Sequence, residues 1–288
     1  MALDPATQTA ISRVRVRATH VCVSASATRT PALLRRSDIP APPGSTGDTL
    51  RIHPAVIAAG DFDEPVHAWR GIPQTVECTE FLDLERAHAN PSAPPPRGTR
   101  SWIVNAFAHP VGTAVTLPGI GRQHREAMQR YPNLAVLTSV LHDLTAGSVR
   151  PAGDGVKIRY APSADDRAEL AFGLARCADL LFAAGARRVW IPTAAPLELT
   201  RPDQTAALES LPLTPGSIDV TAVHPMGTVP MGDDPAVAAV DSRGRHHHVA
   251  GLSVADGSLF PTSIGGPPQL TIYALGLHVG EAIVADAR

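Results

Sequence analysis

The spacing of hydrophobic and polar positions divides the chain into strands, one long helix and Pro/Gly-rich connections. Residues 13–26, RVRVRATHVCVSAS, alternate valine with polar residues and then become more apolar, which predicts a strand entering a sheet. Residues 134–141 and 155–160 predict further strands, and residues 50–62 a strand region interrupted at Pro54. The period changes over 163–186. There Leu170, Leu174, Cys177 and Leu181 fall on one helical stripe, Ser163 stands at the N-cap with Asp166 three residues on, and Gly185 supplies the stop. Shorter helices are predicted near 122–131 and over 30–37, where Pro31 in the first turn loses nothing by lacking an N–H. Residues 38–48 and 90–99 predict loops.

The last segment has a different texture. A strand over 218–223 runs into His224, and a second apolar strand over 251–258 ends in Asp256-Gly257. Residues 267–287 open with Pro267 and Pro268 and continue apolar on most faces, which predicts a buried helix that starts inside the protein.

Composition narrows the function classes. With 288 residues, 44% hydrophobic, 18% charged and a formal net charge of -2, the chain has material for a substantial core and no basic excess, so no nucleic-acid partner is expected. Cys22, Cys78 and Cys177 are far apart and lack C-x-x-C spacing, which argues against a disulfide framework or zinc site and fits a reducing compartment. No apolar h-region opens the chain and no apolar run reaches spanning length, so a cytoplasmic protein without a membrane span is the expectation. Of RHHH (245–248), at most His246 and His248 share a face and no acidic or cysteine partner stands at ligand spacing. It reads as a solvated hairpin arm, and no metal is assigned. His53, His109 and His142 belong to no constellation, and the absence of Gly-x-Ser-x-Gly argues against a serine hydrolase.

The candidate chemistry lies in VHPMGTVPMGDDP (223–235), where one histidine stands ahead of a turn holding two Met-Gly pairs. Asp256 and Gly257 lie at the carboxyl end of a strand, where open α/β sheets bind ligands. The helix starting at Pro268–Gln269 brings unpaired N–H groups and a positive dipole end that favour an anion. Together these describe a cofactor site with a base beside it.

The phrase HPMGTVPMGDDP, followed by VDSRGR and by VAGLSVADGSLFPTSIGGPPQLTIYALGLHVGEAI, resembles the C-terminal signature of the glucose–methanol–choline (GMC) oxidoreductases. SATRTPALLRRSD (26–38) resembles that family's second signature, with Asp38 where a glycine is usual. TGDTLRIHP (46–54) resembles the segment that follows, with Thr49 in an asparagine position. The fit is best to the bacterial long-chain-alcohol oxidase/dehydrogenase branch. The resemblance implies an α/β (α+β) fold, a partial FAD-binding Rossmann-like domain with an antiparallel-sheet substrate domain. Residues 1–65 would be the remaining part of the FAD domain, 66–217 the substrate domain, and 218–288 the segment returning to the FAD domain. It further implies FAD as cofactor, a small-molecule alcohol oxidised at its CH–OH group by hydride transfer to flavin N5, and His224 as proton acceptor. Asp256, Gly257, Pro268 and Gln269 would lie on the cofactor.

Two departures stand out. Where the family places a second His or Asn ahead of the last helix, this sequence has Pro267, which offers no donor. No Gly-x-Gly-x-x-Gly unit precedes residue 20. The nearest imitation, over 117–143, has Gly119, Gly121 and Asp143, but His124 replaces its third glycine and Pro118 breaks the strand it needs. The chain therefore reads as the C-terminal portion of such an enzyme, with a separate chain supplying the N-terminal FAD-binding half as an implied partner. The alternative is a truncated, inactive remnant or non-catalytic partner subunit. Either way a raw sheet edge, an exposed apolar face and poor solubility are expected.

Overall fold

A computed structural model describes residues 2–287 apart from Asp4, Pro5, Gln8, Arg13, Pro91, Pro118, Ala195 and Pro196. Two short paired strands, β1 (Ala2–Leu3) and β2 (Ala10–Ser12), are followed by β3 (Val21–Val23), α1 (Thr30–Arg36), β4 (Ala55–Asp61), β5 (Glu77–Cys78), α2 (Leu84–His88) and β6 (Ser101–Asn105). Next come α3 (Pro110–Thr116), α4 (Arg122–Gln129), β7 (Leu134–Leu141), β8 (Ser148–Ala152), β9 (Gly155–Arg159), α5 (Ala164–Ala183), β10 (Arg188–Ile191) and β11 (Leu197–Leu199). The chain ends with β12 (Leu252–Val254), a 3-10 turn at Gly257–Leu259 and α6 (Gln269–Asp286).

Six strands form an antiparallel sheet in the order β11-β10-β4-β7-β6-β5. Its spine is the β4–β7 pairing, which runs from Ala55 opposite Val140 to Asp61 opposite Leu134. Because strand side chains alternate, Val56, Ala58, Ile103 and Leu141 face α5, whereas Ala55, Trp102, Val104 and Val140 form a separate apolar cluster on the other face. The predicted stripe of α5 covers the first face, with Leu170, Leu174, Cys177 and Leu181 all buried. Its ends are as the sequence indicates: Ser163 Oγ accepts the Asp166 N–H at 3.1 Å, and Gly185 adopts φ +97°. Gly173 lets the helix sit close, because a Cβ there would meet Ser139 Oγ at 2.0 Å. A buried ion pair, Arg100 to Asp166 at 2.6 Å, and the Arg100 N–H on Glu169 tie α5 to the start of β6. Strand β4, at Ala55–Asp61, is the sheet's earliest strand in the chain.

A second layer is built on β12 and β3, a parallel pair in register from Leu252 opposite Val21 to Val254 opposite Val23. Val23, Leu34, Val229, Val240, Leu252, Val254, Leu259 and Val279 make its core.

Several expectations are corrected here. The strand over 13–26 is a ladder only at Val21–Val23, because β12 offers just three partner residues; Arg13 lies outside the described residues. Residues 218–223 form no strand and make only isolated bridges, Ile218 to Thr193 and Thr221 to Ala55. The last helix forms as predicted, yet it is largely exposed. Only Val279 and Ala282 are buried, while Leu270 is 79% and Leu277 67% exposed. The β3–β12 layer covers one side of α6, and the remaining apolar faces find no cover among the described residues. Its start is therefore a rim: Pro267 and Gln269 are exposed and only Pro268 is buried. The Gly119–Gly121 segment follows a helix, α3, so it forms no strand-to-helix dinucleotide turn; Pro118 lies outside the described residues. No described helix is long and apolar enough to cross a membrane.

Leu174 touches no part of the pocket described below, so Leu174→Ala tests the α5–sheet core alone. We expect a loss of roughly 2–5 kcal/mol in unfolding free energy, read by chemical denaturation.

Candidate active site

The first Met-Gly pair after His224 lies in a strap of backbone hydrogen bonds. On one side Arg51 and Met226 exchange both bonds, at 2.9 and 2.8 Å. Gly47 N–H donates to Thr228 O and Thr49 Oγ1 to Gly227 O at 2.5 Å, which gives the residue in the asparagine position a definite job. On the other side Gly227, Val229 and Met231 N–H donate to Gly257, Ser258 and Leu259 carbonyls. Gly227 sits at φ +76°, and a Cβ there would meet Thr49 O at 3.0 Å and Phe260 O at 3.1 Å, so only glycine lets the segments close.

Asp256 works in the same assembly. Its carboxylate accepts the Ser258 N–H at 2.7 Å, capping the 3-10 turn, together with the Ser26 N–H at 3.0 Å and the Thr30 hydroxyl at 2.5 Å. It therefore joins the β3–α1 turn to the end of β12, and its oxygens are turned to the chain. Gly257 is buried, its carbonyl holding Gly227. Neither lines the pocket beside His224, whereas Pro267, Pro268 and Gln269 do.

That pocket has a volume of about 630 Å³ and opens to solvent. The outer face of the six-stranded sheet forms one wall through Ala55, Trp102, Val104, Thr138 and Val140. Thr221 to His224 forms a second side and the start of α6 a third, with Ile272 and Tyr273 behind it. Apart from histidine, no charged side chain lies among the described lining. Helix α6 has no side-chain cap, and Gln269 turns its amide to the Tyr273 hydroxyl at 2.5 Å.

His224 is half-buried, and burial lowers its pKa below the ordinary histidine value. Its Nδ1 lies 3.4 Å from Nδ1 of His53, the rings meeting edge to face at 89°. His53 was unassigned from sequence. The one signal was its place at the end of TGDTLRIHP, where it adopts a left-handed φ of +47°. Asp143 explains that conformation: its carboxylate takes both the Ile52 and His53 N–H groups, at 3.1 and 3.3 Å, turning the imidazole inward. Burial first, then His224 and His142, push the His53 pKa down to about 3. His142, unassigned as well, pairs with His88 at 3.0 Å, and burial and His88 bring it to about 4.

The RHHH stretch is not the solvated arm expected. His246 is buried because its backbone bridges Val240 and Leu252, and His247 Nε2 bonds Gly232 O at 2.8 Å. No group of three or more metal-ligating side chains occurs among the described residues.

Residues 144–276 match the family described as GMC oxidoreductase. Over those residues the chain carries the C-terminal region of a GMC oxidoreductase. It is 35% identical to an uncharacterized GMC-type oxidoreductase of Mycobacterium tuberculosis over 94% of this chain and 40% of that protein. It is 33% identical to another of Sinorhizobium fredii, over 95% of this chain and 51% of that protein. A long-chain-alcohol oxidase of Arabidopsis thaliana is 27% identical over 91% of this chain and 37% of its own length. The chain thus spans about half or less of the curated relatives it matches. Among solved structures, a formate oxidase superposes with a TM-score of 0.65 at 16% identity, covering 93% of this chain and 54% of that one. The pyridoxine 4-oxidase from Mesorbium loti gives 0.59 at 18% identity, covering 91% and 51%. These share the fold of this GMC region, a mixed α/β arrangement around the antiparallel sheet.

The depressed histidines set a pH dependence. In the unfolded chain His53 and His142 take up protons near 6.5, whereas in the fold they do so only near 3 and 4. The unfolded state binds more protons between those values, so stability is full above pH 6.5 and falls as pH drops toward 4. The urea midpoint is expected to be lower at pH 5 than at pH 7.5. An unchanged midpoint would mean that neither imidazole is buried as described.

Proposed function

We propose that this region forms the substrate side of an FAD-dependent oxidoreductase acting on the CH–OH group of a neutral, largely apolar alcohol, with His224 taking the hydroxyl proton. The observation that carries this reading is His224 itself. It opens on a pocket walled by Trp102, Val104 and Val140, beside a helix start that carries no cap of its own.

The residues fit one end of FAD. The first N–H groups and positive end of α6 suit an electron-rich ring edge, while no described segment offers a glycine-rich strand-to-helix turn for a pyrophosphate. Pro267, Pro268 and Gln269 would meet that ring edge. Asp256 and Gly257 would act through the backbone they hold in place, since the Asp256 oxygens already have protein donors. FAD, when bound, supplies the acceptor for the hydride. The chain's own part is to seat the alkyl chain against the sheet, hold the carbinol oxygen at His224 and exclude water with the apolar wall. With its pKa lowered by burial, His224 is neutral at pH 7.

The N-terminal FAD-binding half is the proposed partner, contributed by a separate chain or a longer form of this one. The exposed apolar faces of α6 and the open edge of β3 are where it would dock. Leu270, Tyr273 and Leu277 on α6 are each more than 60% exposed. That exposure, with Pro267 in the second His/Asn position, also favours the runner-up reading, a non-catalytic remnant.

The test adds FAD to the purified chain, with and without the N-terminal half of a homologous GMC protein, and then anaerobic primary alcohols of increasing chain length. We expect loss of the oxidised flavin absorbance, favouring longer alkyl chains and slowed by roughly 10²–10⁴-fold in His224→Ala. Equal bleaching in His224→Ala would remove His224 from the chemistry. No bleaching in any assembly that has taken up flavin would leave the remnant reading.

A further inference from the structure

His53 lies against His224 without belonging to any assigned site, and its two ring nitrogens face partners of opposite kind. Gly265 N–H donates to His53 Nε2 at 3.2 Å. A backbone amide can only donate, so this contact makes Nε2 the acceptor of a neutral imidazole and leaves the ring proton on Nδ1. That nitrogen is the one 3.4 Å from His224 Nδ1. Two N–H groups cannot face each other, so the His53 proton points at a lone pair on His224, and the proton of neutral His224 sits on Nε2.

We propose that His53 is a positioning residue that sets the tautomer of His224, and that Gly265 N–H sets His53. The inference rests on the reading of His224 as the group that handles the alcohol proton. In this state His224 offers an N–H to the pocket, so it meets the carbinol oxygen first as a donor. Accepting the hydroxyl proton at Nε2 requires the reverse tautomers on both rings. The proton on His53 Nδ1 then crosses to His224 Nδ1, His224 Nε2 releases its proton to water, and water supplies one to His53 Nε2; both rings remain neutral. That exchange is closed while Gly265 N–H holds His53 Nε2. Gly265 lies in the connection leading straight into Pro267 and α6, so the placement of the helix start and the state of His224 are linked through one backbone amide.

The surroundings hold the lock in place. Gly265 adopts φ +78°, and a Cβ on it would meet Leu84 Cδ1 at 2.8 Å and His142 Nδ1 at 3.4 Å. The groups facing His53 are His224, His142 and the Asp143 carboxylate, which takes its backbone N–H and is itself held by the Tyr160 and Ser263 hydroxyls. Among the described residues the His53 ring hydrogen-bonds only to His224 and to Gly265 N–H.

Histidine-selective ¹⁵N NMR of the whole chain, without flavin, reads both rings directly. The expected result near pH 7 is His53 as the Nδ1–H tautomer, the less common form in water, and His224 as Nε2–H. The variant His53→Asn keeps a polar group at the Nδ1 position and tolerates the left-handed backbone. Its amide can turn its oxygen to His224, so His224 is expected to populate both tautomers and to titrate at higher pH, with an unchanged far-UV spectrum. His53 found as Nε2–H, or His224 unchanged in tautomer and titration in a folded His53→Asn, would overturn the proposal. Because no flavin or alcohol is involved, this outcome is independent of whether the flavin experiment succeeds.

Discussion

Everything at the pocket depends on the strap of residues 226–231, which is hydrogen-bonded along both edges. One edge belongs to the connection that enters the six-stranded sheet, the other to the turn that leaves the parallel pair. The strap therefore fastens the two layers together at the point where His224 emerges. Removing a donor or acceptor here would leave its buried partner unpaired, at a cost of about 1–3 kcal/mol each. The first Met-Gly pair follows from this constraint. Met226 is fully buried under the strap, and Gly227 allows three chain segments to approach within contact distance.

The same constraint explains why residues far apart in sequence carry related roles. Thr30, Ser26 and Asp256 close the floor where β3 and β12 end, while Thr49 and Gly47 close the side. None of these touches the pocket, yet each fixes a backbone segment on which the histidine stands. His53 comes from the strap's own neighbour, two residues after Arg51, which is why the imidazoles meet.

Much of this was legible in the sequence. The α5 stripe, its cap and its glycine stop were local signals that tertiary packing had no reason to override. The C-terminal signature placed His224 and the helix start at one site. What was not legible was relational. A lone histidine after Ile52 carries no mark of being paired, because Asp143 and Gly265, which orient it, are distant in sequence. Strand-end position alone marks Asp256 as a group for a ligand, and does not show that Ser26, Thr30 and Ser258 donate to its carboxylate. The burial expected for α6 was read from hydrophobicity alone, which reports that a helix needs cover and not whether the same chain supplies it. Residues 218–223 and 13–26 had strand composition, but a ladder also needs a partner.

The most direct test of the central claim is native-state amide hydrogen exchange at Gly227, Val229 and Met231. If these bonds fasten the layers, the three amides exchange only with global unfolding, at the same free energy as core amides of β4 and β7. Exchange of the three through a lower-energy local opening, with the sheet still protected, would show that His224 stands on a segment the fold does not hold.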